Sequence, residues 1–165
     1  MNHLLLLPIL ILAVYLIWVR IKYGMTHSIS ATYRLLGKSE KWAFGTMWVA
    51  YAAPLVLITA DRWIIAAVLM LAIVAANPNF WDRRGIQDDL HIIGSYSTIA
   101  FGFVAIIFMD FVVGMIATLA FIVVNVFIFF NLWKFKRIKN ETYWQEVIAA
   151  VAIPLLLFYI LEVKA

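Results

Sequence analysis

The stretch Ile92–Phe130 reads IIGSYSTIAFGFVAIIFMDFVVGMIATLAFIVVNVFIFF, and its one charged residue is Asp110. A helix crosses a hydrocarbon core about 30 Å thick with roughly 20 apolar residues. This stretch is about twice that length. A split at Asp110 gives two spans joined by a tight turn, with Gly114 just beyond it. The pair Asp61-Arg62 divides Trp42–Ala76 in the same way. Working outward from these two breaks, six apolar spans are predicted: Leu4–Val19, Trp42–Ala60, Trp63–Ala76, Ile92–Met109, Phe111–Trp133 and Tyr143–Leu161. The third is the shortest and is expected to run on toward Asn77 and Phe80.

The basic residues orient these spans. Of thirteen Lys and Arg residues, eleven fall in the first, third and fifth connections. They are Arg20, Lys22, Arg34, Lys38 and Lys41, then Arg83 and Arg84, then Lys134, Lys136, Arg137 and Lys139. Arg62 and Lys164 alone lie on the other side. The positive-inside rule then places both termini outside and three loops in the cytoplasm. Removing either split would invert every later loop. Trp18, Trp42, Trp63, Trp81, Trp133 and Trp144 lie near predicted span ends, as an aromatic belt requires. The fold class expected is all-α: a six-helix transmembrane bundle forming one domain over residues 1–165, multi-pass in the plasma (inner) membrane.

Composition agrees with this reading. Apolar residues make up 66% and charged residues 13%, with a mean hydropathy of +0.98. Soluble domains carry about 25% charge. The pI near 9.4 needs no nucleic-acid partner. The basic residues are topology signals and contacts for anionic lipid heads at the cytoplasmic face of the bilayer. Cysteine is absent, so disulfides, thiolate metal sites and a cysteine nucleophile are excluded. Met-Asn-His lacks the basic flank of a signal peptide, so the first span is expected to be retained.

Without a hydrophobic drive between helices in lipid, small residues are expected to mark contact faces. Candidates are Thr46, Ala50 and Ala53 in the second span, Gly94, Thr98 and Gly102 in the fourth, and Ala149 and Ala152 in the sixth. Pro8, Pro54 and Pro154 are expected to kink their helices or free a carbonyl that neighbours must satisfy.

The cytoplasmic loops hold the candidate chemistry. In Ser28–Lys41 a short interfacial helix is predicted from about Ser30 to Leu36, capped by Ser28 or Ser30 and ended by Gly37. Ser39 would cap the second span. A serine here is either a cap or a hydroxyl that meets a ligand, and a nucleophile would need a base nearby. In Asn77–His91, Asp88 and Asp89 open the fourth span and complement its helix dipole. His91, Ser95, Thr98 and Gly102 then share one face. A polar stripe entering a span is expensive in lipid and should face the bundle interior. Glu146 lies nearly two turns into the sixth helix, which Asn140 would cap, and an apolar run follows it. A carboxylate so placed is neutral, paired or liganded. A structural partner would be a basic residue such as Arg34 or Arg84.

Ser28-Ile29-Ser30-Ala31-Thr32-Tyr33-Arg34-Leu35-Leu36-Gly37 resembles the SIS-x-TYY-LLG signature of a group of small bacterial and phage-associated multi-span membrane proteins without an established activity. The resemblance continues in Ala75–Phe80, in His91 with Gly94, and in Trp144-Gln145-Glu146. Arg34 departs from the second tyrosine of the signature. The resemblance implies a shared architecture and site. A more distant similarity is to the membrane hydrolases that include alkaline ceramidases and adiponectin-type receptors. Those proteins use a serine, an aspartate and three histidines around zinc, but the last span here holds no histidine. That likeness implies a zinc site assembled from His27, Asp89, His91 and Glu146.

The expected site is therefore polar and cytoplasm-facing, with Ser28, Ser30, Tyr33, Asp82, Asp89, His91 and Glu146. Its leading role is binding a small or lipid-headgroup ligand in a sensor or accessory protein. The alternatives are a lipid-directed hydrolase, with metal or without, and a small transporter acting as a homo-oligomer.

Overall fold

The computed structural model describes residues 2–24, 26, 28–76, 86–135 and 141–164. Helix is the only regular structure among them. A 3-10 turn, Asn2–Leu6, leads into α1 (Leu7–Tyr23). The short α2 (Thr32–Leu35) lies in the following loop. Then come α3 (Lys41–Thr59), α4 (Arg62–Ala76), α5 (Ile86–Met109), α6 (Phe111–Phe135) and α7 (Glu141–Phe158), the last continuing as a π turn, Tyr159–Val163. Five stretches are long and apolar enough to cross a membrane: His3–Tyr23, Lys41–Thr59, Leu90–Met109, Phe111–Ile128 and Tyr143–Val163. The fifteen residues of α4 are apolar but shorter. At 1.5 Å per residue they extend about 22 Å. The expected continuation to Phe80 lies outside the described residues.

Both predicted breaks are present, and each is built around its aspartate. Asp61 Oδ1 accepts the N–H groups of Trp63 at 2.8 Å and Ile64 at 3.1 Å, opening α4. Asp110 Oδ1 accepts Val113 N–H at 3.0 Å and opens α6. Each carboxylate satisfies helix N–H groups that have no intrahelical acceptor. Asp110 also pairs with Lys164 from the C-terminal end of the chain. This cation, helped by the Val113 N–H, holds the Asp110 carboxyl below the usual carboxylate range. Gly114 is needed for the turn's closeness. A Cβ there would lie 2.5 Å from Ile107 Cα.

Helix contacts form a ring. α1 packs on α3, α3 on α4, α4 on α5, α5 on α7, and α7 returns to α1. α6 lies outside the ring against α5 and α7, with only 6% of Phe111–Ile128 buried. Its outer face, including Phe111, Ile116, Leu119, Val123 and Phe127, is exposed. Exposed apolar surface continues along α1, α3 and α5 through Leu10, Val14, Val49, Leu57 and Ile93. Apolar surface this extensive is the lipid-facing shell expected of a membrane bundle.

Small residues mark only some contact faces. Gly94 lets α5 approach α4, since a Cβ there would meet Val74 at 2.9 Å and the Met70 carbonyl at 3.1 Å. Gly102 faces Ile153 of α7, and Ala149 is buried. The expectation for Thr46, Ala50 and Ala53 was wrong. Thr46 and Ala53 are exposed, and Thr46 and Ala50 lie along an open groove between α1 and α3. The buried face of α3 carries Phe44, Met47, Trp48, Tyr51, Ala52 and Leu55 instead. Aromatic packing outweighs close backbone approach here. Pro8 sits in the first turn of α1, where its missing N–H disrupts nothing. Ser39 does not cap α3. The N-cap residue is Glu40, which makes no side-chain capping bond to the helix. Its carboxylate instead accepts from Lys22 Nζ, Tyr23 Oη and the Gly37 N–H. The Lys22 bond, then the Tyr23 bond, holds this carboxyl below its ordinary value.

Candidate functional site

The loop between α1 and α3 folds into the end of the bundle rather than lying on it. Ser28 is 1% exposed, Ser30 2% and Thr32 1%. So deep a loop must satisfy its own backbone. The Thr26 hydroxyl donates to the Ser28 carbonyl at 2.7 Å. Ser28 Oγ accepts Ala31 N–H at 3.0 Å and braces the turn before α2, whose N-cap residue is Ala31 rather than the expected serine. The Thr32 hydroxyl donates to the Ile29 carbonyl at 2.6 Å. With that proton committed, Tyr15 is the donor in its 2.7 Å bond to Thr32 Oγ1, which ties the loop to α1.

Glu146 completes the set. Its Oε2 accepts the N–H of Ile29 at 2.5 Å. The described partner of Glu146 is therefore a backbone amide, not the basic side chain expected for a structural pair. Arg84 lies outside the described residues. The Ser28–Gly37 and Trp144–Glu146 stretches thus meet in space.

Glu146 is only partly buried and lines a cavity among α3, α4, α5 and α7, with an empty volume of about 510 Å³. Its polar lining is Ser30, Glu146, Ser95, Thr98, Tyr51 and Trp48. The remaining wall is apolar, with Leu71, Val74, Ile99 and Ile153. Several waters or a small organic group fit such a space.

Tyr51 and Thr98 each have a defined hydroxyl. Pro154 has no N–H, so the Ala150 carbonyl four residues earlier loses its helical donor. The Tyr51 hydroxyl takes that place at 2.6 Å. This is the freed carbonyl that the proline predicts. Thr98 Oγ1 donates to the Gly94 carbonyl at 2.8 Å. The Trp48 N–H is buried with no acceptor among the described residues.

The structure thus brings Ser28, Ser30 and Glu146 together and adds Trp48, Tyr51, Ser95 and Thr98. Ser95 and Thr98 were legible as a polar stripe. Tyr51 had only the indirect signal of Pro154, and Trp48 had none. His91 is buried one helical turn before Ser95 but is not in the cavity wall. Tyr33 is on another side of the loop. Its ring packs on Phe44 with centroids 5.5 Å apart, and Lys41 Nζ sits 4.5 Å over it. Asp82 and His27 lie outside the described residues. Asp89 is in α5, with its side chain outside the description. Among the described residues, no group of three His, Cys, Asp or Glu side chains could hold a metal. No protein-family model, curated protein or solved structure matches the chain.

Proposed function

We propose that the chain is a six-span integral membrane protein with both termini outside, whose cytoplasm-facing cavity binds a small or lipid-headgroup ligand in a sensor or accessory role. The cavity carries this reading. A glutamate is maintained inside an apolar bundle, held by the Ile29 amide of the loop on one side and reachable from an empty space on the other. Ionisable groups within membrane spans are costly and are commonly retained for function.

Binding is favoured over transport by where the polar lining stops. Farther along α5 and α7 from Thr98 and Ile153, at helical spacing, the residues are apolar and fully buried: Ile106 and Leu157. Neither hydrolysis nor a zinc ion gains support from the described side chains.

Two measurements test the reading. Reporter fusions after Lys38, Arg84 and Lys136 should report cytoplasm, and those near Arg62, Asp110 and Ala165 the outside. A cytoplasmic C-terminus would overturn the topology. In thermal unfolding of the purified protein, headgroup analogues should raise the midpoint. The shift should vanish in Ala149→Leu, which fills the cavity from its buried α7 wall. A ligand shift unchanged in Ala149→Leu would remove the cavity from the function.

A further inference from the structure

We infer that the cavity ligand is an organic ammonium, a protonated amine carrying a short apolar body. This rests on the reading of the cavity as a ligand site and names the chemistry it selects.

The polar groups in the wall are biased toward accepting. Tyr51 and Thr98 already donate their hydroxyl protons to the carbonyls of Ala150 and Gly94. What each hydroxyl retains is lone pairs. As a carboxylate, Glu146 has about four acceptor positions, of which the Ile29 amide occupies one. Ser95 can take either role. The Trp48 N–H is buried, and the pyrrole nitrogen offers no accessible surface to a ligand. With Ser30 and Ser95 free to take either role, a ligand that donates hydrogen bonds finds more partners in the described wall than one that only accepts them.

Charge narrows the class. None of the described lining residues is cationic. Arg20 lies within electrostatic range of Tyr143, as Glu146 does, but it lines a separate small cavity with Thr26 and Thr32. An anion would enter against the Glu146 charge in a low dielectric, where like charges repel strongly. A neutral apolar guest would remove water from the carboxylate and give nothing in return. A bare metal ion would need several oxygen or nitrogen ligands, and the described residues supply no such cluster. An alkylammonium meets each condition. Its N–H donors and charge suit Glu146, Thr98 and Tyr51. Its apolar body suits Ile99, Ile153 and Leu71. The rings of Trp48 and Tyr51, 5.6 Å apart and edge to face, are aromatic surfaces of the kind that attract organic cations. An amine with a pKa near that of lysine, about 10.4, is charged at neutral pH.

The same ammonium chemistry comes from a free amine or from the ethanolamine head of a lipid. The test uses the full chain in a neutral maltoside detergent at pH 7, titrated calorimetrically with butylammonium chloride, with 1-butanol as its neutral counterpart and sodium chloride as the salt control. Saturable butylammonium binding is expected, with butanol at least tenfold weaker. Glu146→Gln should weaken butylammonium at least tenfold and leave butanol unchanged. If Glu146→Gln does not fold, the comparison of ammonium with alcohol on the unaltered protein still decides. Equal binding of butylammonium and butanol, both lost in Ala149→Leu, overturns the ammonium class and leaves the cavity as a ligand site. If neither compound binds, both readings fall. Butylammonium binding that is unchanged in Glu146→Gln overturns the inference. Repeating the titration in phosphatidylethanolamine and phosphatidylcholine nanodiscs separates the sources. Competition only by phosphatidylethanolamine assigns the lipid head, and undisturbed binding in both assigns a free amine. Either result supports the ammonium class.

Discussion

Tyr51→Phe isolates one hydrogen bond whose need is created by a proline elsewhere in the chain. The substitution keeps the ring and its edge-to-face contact with Trp48, and removes only the hydroxyl that donates to Ala150 at 2.6 Å. Because Pro154 cannot donate, that carbonyl has no helical alternative. A buried acceptor left without a donor costs about 1–3 kcal/mol. Side-chain hydrogen bonds inside membrane bundles average only about 0.6 kcal/mol and reach about 1.7, because the reference state finds other partners. Here no other partner is offered locally, so the loss should sit toward the upper end, about 1–2 kcal/mol.

The discriminating measurement is a double-mutant cycle with Pro154→Ala. That change restores an N–H four residues after Ala150 and gives the carbonyl its helical donor again. In the Pro154→Ala background, Tyr51→Phe should cost less than about 0.5 kcal/mol, for a coupling near 1 kcal/mol. Reversible unfolding in mixed micelles, followed by circular dichroism, reads all four proteins. The cycle subtracts whatever Pro154→Ala does to the helix by itself. If Tyr51→Phe costs the same in both backgrounds, the tyrosine does not serve the carbonyl that the proline frees.

Two further outcomes follow from the packing and the surface charges. Gly114→Ala should destabilise far more than Gly102→Ala, because its Cβ would meet Ile107 backbone atoms at 2.5 and 2.6 Å, whereas at Gly102 it meets the mobile tip of Ile153; unfolding midpoints of the two variants check the order, and the reverse order would show that the α5–α6 turn is not closely packed. The carboxyls of Glu40 and Asp110 are held below their ordinary values of 4.5 and 3.8, so in the folded protein they bind protons less readily than in the unfolded chain. Their contribution is whole above those ordinary values and is lost as pH falls through the lower folded ones, so acid titration of stability should show a loss confined below about pH 4.5 that Glu40→Gln and Asp110→Asn together reduce; an unchanged acid limb in that double variant would mean that other groups set it.

How much of this was legible in the sequence depends on what the surroundings reveal. Asp61 and Asp110 could be read directly, because a carboxylate in an apolar run is tolerated mainly at its ends, and each proved to open a helix. Glu146 stood out for the same reason. Its partner did not, since a backbone amide 117 residues away carries no side-chain signature. The ring order was also hidden. In water a helix shows its outer face by polarity, but lipid is as apolar as the core, so buried and exposed faces look alike. That is why α6, apolar all round, gave no sign of lying outside the ring. It is also why Thr46, Ala50 and Ala53 were misread as a contact face while Trp48 and Tyr51 were overlooked.

The geometry around Glu146 explains how one side chain can serve both the fold and the cavity. A loop buried at the membrane edge brings amides that water can no longer satisfy. A hydroxyl or an amide oxygen in α7 could accept them, but a carboxylate does so with acceptor capacity to spare. The Ile29 amide meets it from the loop, and its remaining capacity is available to the cavity it lines. A donor entering the cavity therefore need not displace the loop. Glutamine at this position would divide the two roles. Its single oxygen has two acceptor positions, and its NH2 only donates. Turned to the loop, the oxygen would keep the amide satisfied and present donors to the cavity. Turned to the cavity, it would set N–H against N–H at Ile29. The loop amide is fixed by the backbone and a ligand is not, so the first orientation should prevail. Glu146→Gln is then expected to preserve the fold while reversing the polarity of the cavity.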